Sequence, residues 1–389
     1  AGKDTITTGA GSDTVKGGDG DDTLVFAGNL TSADKIDGGE GTDILSVTNA
    51  SITALQGLTI SDANTFNANF QNMETLLITG ALDSTGDSFD LGYLSGISTV
   101  AVTTVTGAQT IAGFDSGSTL ALSTTPGAAI TATVNSSLAS ATDEMTVVLT
   151  GTAADDYDSV VIANVETVNI NATNSTATAG YQVATVGLTV SQTAAASGGS
   201  GADLTVNILG TESVTIDTTI AAATINASGL STRLATDAGF TMSNATGHTV
   251  AQTITGSTGV DTIIGSTKND VISTGAGNDL ITAGTGADTI DGGTGTDTFI
   301  GTTALTAANI EGSGTGTSTG VVVNLGATTI TNAAVLGTTT QHLSGSATGV
   351  ASGQVAYLFA GSAPTNSSSI DTLTSIENVT LADGINYVV

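Results

Sequence analysis

The sequence predicts an all-β chain, a right-handed parallel β-solenoid of the β-roll kind, on three observations. Five aspartates recur every nine residues, at Asp261, Asp270, Asp279, Asp288 and Asp297. Glycines precede them, and an aliphatic or aromatic residue follows each two places on. From Ile44 to about Thr253, short runs of Val, Ile, Thr and Leu alternate with Ser, Ala, Asn and Gly, and helical periodicity is nearly absent. A fixed short period with glycine turns and single inward apolar residues is the pattern of stacked coils.

The first element, residues 1–46, is a short ladder with aspartates at Asp4, Asp13 and Asp22 and a separate copy at Asp43. The first six residues of each repeat predict a turn, and the last three a very short strand. Glycine lets the backbone curl and turn its carbonyls inward. The aspartate adds a hard oxygen ligand, which suits the six to eight oxygens that calcium accepts. Two nonapeptides make one coil of eighteen residues, so Asp4 is expected to face Asp22. Asp43 needs a stacked neighbour, which Asp13 or Asp34 could supply if the insert between Phe26 and Asp37 loops out.

The second element, residues 47–253, reads as short strands with β-branched residues on one face and Thr or Ser on the other. Examples are Val100-Ala-Val-Thr-Thr-Val and Thr146-Val-Val-Leu-Thr. Strands this short and numerous, with few large aromatics, fit a β-solenoid of one or more subdomains better than a sandwich. A Glu recurs at strand starts, at Glu74, Glu166, Glu212 and Glu377. It reads either as a calcium ligand or as a turn residue accepting backbone N–H groups. Clusters at Asp83, Asp87 and Asp90, and at Asp155, Asp156 and Asp158, either bind a cation or repel one another.

The third element, residues 254–301, holds the five-step ladder. Asp261, Asp279 and Asp297 are expected along one edge, and Asp270 with Asp288 along the other. Ile263, Ile272, Ile281, Ile290 and Phe299 point inward. The turn glycines Gly275, Gly277, Gly284, Gly286, Gly293 and Gly295 present carbonyls to the same ions. Lys268 stands where a fourth-place glycine belongs, a departure that bears on the site nearest Asp270. The last element, residues 302–389, is Thr-, Gly- and Ser-rich, contains Gly320-Val-Val-Val-Asn-Leu-Gly, and is expected to cap the roll with final strands.

Composition narrows the partners. The 389 residues carry 35 acidic and 5 basic side chains, a formal charge of −30. Nucleic acid and anionic lipid are therefore poor partners. About fifteen divalent ions would cancel the charge, so the chain is expected to be loose without calcium and ordered with it. Hydrophobic residues make up 39% of the chain, which disfavours disorder. There is no cysteine and no apolar run long enough for a membrane span. The chain opens inside a repeat, without a signal peptide, which suggests a processed product or part of a longer polypeptide.

These nonapeptides resemble those of the RTX (repeats-in-toxin) proteins, which type I systems export. The join of Asn226-Ala-Ser-Gly-Leu to Gln252-Thr-Ile-Thr-Gly and five nonapeptides is similar to RTX-type surface-layer proteins. So are the Val165-Glu-Thr-Val-Asn-Ile element and the Ser/Thr/Ala-rich composition. The resemblance implies an extracellular location on the bacterial surface and calcium-dependent assembly of identical subunits into a lattice. It also implies attachment to lipopolysaccharide through a separate N-terminal region not evident in this chain. Tyr387-Val-Val resembles the end of a type I export signal but lacks the acidic residue expected before it.

Other functions fit less well. A zinc protease needs paired histidines one helical turn apart, and only His248 and His342 exist, in unrelated surroundings. No Gly-x-Ser-x-Gly elbow is present. Polymer-cleaving carboxylate pairs are usually framed by aromatics, here 3% of residues with no Trp. No long apolar helical region suits a pore-former. No enzyme is expected; a calcium-dependent adhesin or filament subunit is the rival reading.

Overall fold

The computed structural model describes residues 2–83, 87–124, 126–135, 143–150, 156–173, 183–191, 204–220, 222–231, 237–242, 250–301, 318–324, 330–331, 341–343, 349–350, 353–360, 370–381 and 387–388. The chain divides into two compact units, Ala1–Gly199 and Ser200–Val389. Strands are short, and nearly all of their pairings are parallel, as a β-roll or solenoid requires.

In the first unit, Thr5–Thr7, Thr23–Ala27, Ile44–Thr48 and Thr75–Leu82 pair in succession, all parallel. Thr14–Asp19, Lys35–Glu40 and Phe70–Gln71 form a second parallel stack. Leu24, Ile36 and Leu45, each two places after a ladder aspartate, are at most 1% exposed. The coil step is 18 residues from Asp4 to Asp22 but 21 from Asp22 to Asp43. Extra residues between Phe26 and Asp34 lengthen that coil, with a register shift between Val25 and Ala27, while the aspartates stay stacked. Asp43 thus has a stacked neighbour, but it is Asp22, not Asp13 or Asp34 as the spacing suggested.

Two helices interrupt the strands expected after Ile44: Asn49–Gln56 and Ile60–Ala68. Thr59 caps the second, its hydroxyl accepting the Asp62 amide. Ile52, Leu55, Ala63 and Phe66 are buried, and the Phe66 ring lies 5.8 Å from that of Phe70. With apolar positions split between helices of 8 and 9 residues, neither is long enough to display a period. Beyond them the solenoid resumes with coils of varying length. Leu76, Val100, Leu120, Val147 and Ile170 form one buried column, and Phe89, Ile111, Ala132 and Ile162 form another on the opposite sheet.

In the second unit the nonapeptide coils from Ile254 to Phe299 keep a regular step of 18 residues. Ile254, Ile272, Ile290 and Leu373 stack on one sheet, and Ile263, Ile281, Phe299 and Val379 on the other. Each Ile or Phe in these columns contributes about 1.5–3 kcal/mol by leaving water. The final coil is built from Ile370–Thr374 and Asn378–Leu381, which return to the roll after a long excursion. Part of that excursion abandons parallel pairing: Gln354–Ala360 runs antiparallel to Ser318–Asn324, to Gln341–Leu343 and to Ile370–Thr374. A strand laid along Ile370–Thr374 covers a sheet edge that would otherwise be open. Residues 325 and 326 of the Val-rich tail segment, together with Asn386 and Val389, lie outside the described residues. Among the described residues, no helix is long and apolar enough to cross a membrane.

Candidate metal centre

The ladder aspartates are brought together as the eighteen-residue coil demands. The Asp261 amide donates to Asp279 Oδ1 at 2.8 Å, and the Asp279 amide to Asp297 Oδ1 at 2.9 Å. On the other edge, the Asp270 amide donates to Asp288 Oδ1 at 2.8 Å. In the first unit the same bond runs from Asp4 to Asp22, from Asp13 to Asp34 and from Asp22 to Asp43, at 2.7–2.8 Å. Each carboxylate thus holds the backbone of the coil before it with one oxygen.

The second oxygen divides the ladder into two classes. Oδ2 of Asp13, Asp22, Asp43, Asp279, Asp288 and Asp297 is buried and has no hydrogen-bond partner. An ionised carboxylate oxygen left so is costly unless a cation meets it. The Thr274 hydroxyl lies near Asp279 but donates to the Gly292 carbonyl at 2.8 Å. In contrast, Asp261 is closed: Ser257 donates its hydroxyl to Oδ1 at 2.6 Å and its amide to Oδ2 at 2.7 Å. Ser266 does the same for Asp270, at 2.8 and 2.6 Å. Asp34, which the nine-residue reading did not include, is closed by Thr31 through its amide and hydroxyl. Asp4 lies exposed at the outer end of the ladder and contributes its amide.

The glycines shape the cradle. A Cβ placed on Gly17 would meet the Gly38 carbonyl and Asp22 Oδ2, both closer than 3.0 Å. At Gly292 it would meet the Ser375 carbonyl and Asp297 Oδ2. A carboxylate oxygen and a carbonyl from the next coil therefore converge on a point kept free of side chains. Gly275, Gly277, Gly284, Gly286, Gly293 and Gly295 all have positive φ, between 80° and 149°, and a side chain on any of them would strike a carbonyl of the preceding coil. Gly286 faces the Lys268 carbonyl. Lys268 thus presents the same backbone oxygen that a glycine would.

This donor set suits calcium: hard oxygens only, with backbone carbonyls supplementing one carboxylate per repeat. Among the described residues no three Asp, Glu, His or Cys side chains converge as a side-chain-only site would need. Burial sets the electrostatics. Desolvation pushes Asp261 up to about 7, against the lowering effect of its Ser257 and Phe240 hydrogen bonds. Asp288 is pushed up to about 9, by desolvation first and then by the charge of Asp371 beside it. Desolvation also raises Asp279 and Asp297.

Three of the four recurrent glutamates, Glu74, Glu166 and Glu377, act as backbone acceptors. Glu74 Oε2 accepts the Asp43 amide at 2.7 Å, Glu166 Oε2 the Asp143 amide at 2.8 Å, and Glu377 Oε2 the Asp297 amide at 2.8 Å. Asp371, missed by reasoning from period, accepts the Asp288 amide at 3.1 Å. The only local signal for it was Asp371-Thr-Leu, an aspartate with an aliphatic residue two places on. Of the acidic clusters, Asp83 accepts the Asn49 side-chain amide, a contact between residues far apart in the chain, and Asp90 accepts the Gly92 amide in a local turn. Asp155 and the side chains of Asp87, Asp156 and Asp158 lie outside the described residues, as does His248.

Comparison with known families agrees with this geometry. The RTX calcium-binding nonapeptide repeat matches in four copies, at residues 1–28, 30–47, 255–290 and 273–303. The chain carries RTX-type calcium-binding nonapeptide repeats, and such nonapeptides bind calcium in multiple copies. Proteins of this type are typically secreted to the extracellular space. No curated protein matches the chain.

Proposed function

We propose that the chain is a structural subunit of an extracellular surface layer, which assembles with identical copies into a calcium-dependent lattice on a bacterial cell. The observation that carries this is the row of aspartates with a buried, open oxygen at Asp13, Asp22, Asp43, Asp279, Asp288 and Asp297. These positions would hold the ions, with the carbonyls of the glycine turns completing their shells. Bound calcium supplies positive charge that lets desolvated carboxylates stay ionised within a packed stack.

The chain's own residues do the rest. Aspartate Oδ1 clamps the preceding coil, glycines keep the cradle open, and isoleucine columns fix the register. The formal charge of −30 is a reason for calcium to control order as well as occupancy, because self-repulsion opposes compaction until it is neutralised. Attachment to lipopolysaccharide would fall to a separate anchoring region.

Electron microscopy of the purified chain with millimolar calcium and with excess chelator tests the reading. Ordered sheets or tubes that dissolve on chelation are expected. Isolated rods in calcium would favour an adhesin or filament subunit instead, and order that persists in chelator would remove calcium from the account.

A further inference from the structure

Each roll ends where its nonapeptides end, yet the last aspartate on each is built like those before it. Asp43 and Asp297 are both 0% exposed, and Oδ2 of each lacks a partner. No nonapeptide follows either in register. The position of the next turn is taken by three residues, Asn72-Met73-Glu74 in the first unit and Ser375-Ile376-Glu377 in the second.

These triplets reproduce what a six-residue glycine turn presents to the coil below. Glu74 and Glu377 accept the amides of Asp43 and Asp297, as the next aspartate does elsewhere. The Asp43 carbonyl in return accepts the amides of Glu74 and Thr75, and the Asp297 carbonyl those of Glu377 and Asn378. Asn72 and Ser375 hold left-handed φ values of 53° and 51°, which few non-glycine residues adopt. That conformation aims a carbonyl at the cradle. A Cβ on Gly38 would meet the Asn72 carbonyl and Asp43 Oδ2, and on Gly292 the Ser375 carbonyl and Asp297 Oδ2. Gly17 meets the Gly38 carbonyl and Asp22 Oδ2 in the same way inside the repeats, as Gly256 and Gly265 do beside the closed Asp261 and Asp270, so the unpartnered Oδ2 is what marks the terminal sites as open. The Asn72 side chain is itself pinned, its amide donating to Asp37 Oδ1 at 2.8 Å.

We infer that Asn72 and Ser375 are calcium ligands through their main-chain carbonyls. Each completes a terminal site with Asp43 or Asp297, outside the repeat pattern. This rests on the reading that the open aspartates hold calcium. It joins each ion to the strand that follows, Thr75–Leu82 in one unit and Asn378–Leu381 in the other.

The test is calcium stoichiometry of the full chain, by equilibrium dialysis and metal analysis, for wild type, Asp22→Asn, Asp279→Asn, Asp43→Asn and Asp297→Asn. The inference expects Asp43→Asn and Asp297→Asn to lose one ion each. If they keep the wild-type count while Asp22→Asn and Asp279→Asn lose ions, the inference is wrong and the calcium reading holds for the aspartates inside the repeats but not for Asp43 and Asp297. If the wild type binds no calcium, both fall. Should a variant not fold, hydrogen exchange on the wild type decides: the amides of Glu74, Thr75, Glu377 and Asn378 are expected to gain protection with calcium. Unchanged exchange at these amides, with protection gained at Asp261 and Asp279, would overturn the inference.

Discussion

At the scale of single residues, a hydroxyl decides whether a ladder aspartate has room for an ion. Ser257 and Ser266 stand at the second-place glycine of their repeats and donate to both oxygens of their aspartates, whereas Oδ2 of the open aspartates has no donor. Substituting both by glycine is expected to raise the calcium count by up to two, measured by metal analysis. An unchanged count would mean that the serines do not exclude the ion. Asp279→Ala tests the open class. It removes a buried carboxylate between Asp261 and Asp297 and orphans the Asp261 amide, a loss of about 1–3 kcal/mol before any calcium is counted. Its melting temperature in calcium should fall further than its melting temperature in chelator. The stacking of the aspartates was legible because each repeat states its aspartate and its turn within nine residues. The open or closed state was not, since it depends on hydroxyl geometry that spacing does not reveal.

At the scale of the coil, buried acids couple the fold to pH. Asp261 titrates near 7 in the folded chain against an ordinary value of 3.8, and Asp288 near 9. A folded-state value above the unfolded one means that the folded chain binds the extra proton. The associated stability is complete below about pH 4 and is lost as pH rises through 7 for Asp261 and towards 9 for Asp288. For Asp261 this is on the order of 4 kcal/mol. The calcium-free roll is therefore expected to recover β-structure in mild acid, near pH 4, and to lose it towards pH 8. Circular dichroism in chelator across that range would show it, and a flat profile would contradict it. The contacts that close the last coil escaped the sequence because their partners lie far along the chain. Asp371 joins Asp288 across 83 residues and Glu377 joins Asp297 across 80, so no local period announces them. The helices Asn49–Gln56 and Ile60–Ala68 were hidden for the opposite reason, being too short to repeat.

At the scale of the whole molecule, charge and calcium pull in opposite directions. With 35 acidic residues and 5 basic ones, the calcium-free chain repels itself at long range. Raising the ionic strength with a monovalent salt should screen this repulsion and contract the chain only partly. Millimolar calcium should contract it further, because specific ions also occupy the cradles. Small-angle scattering in chelator, in salt and in calcium would separate the two. Equal contraction by salt and calcium would reduce the metal to a counter-ion.

The return of Ile370–Thr374 to the roll has an evolutionary side. The coil that ends at Gly301 resumes in register at Ile370, and an earlier coil absorbs an insert between Phe26 and Asp34. Register is read from the neighbouring coil, not counted along the chain, so the corner between coils behaves as a splice point. Closing a detour some eight times the length of a repeat costs only about 2 kcal/mol more than closing one repeat, since closure entropy grows with the logarithm of length. That is close to what one buried isoleucine returns. New surface modules can therefore be grafted at such corners, and their sequences can diversify while the calcium stack beneath them is inherited unchanged.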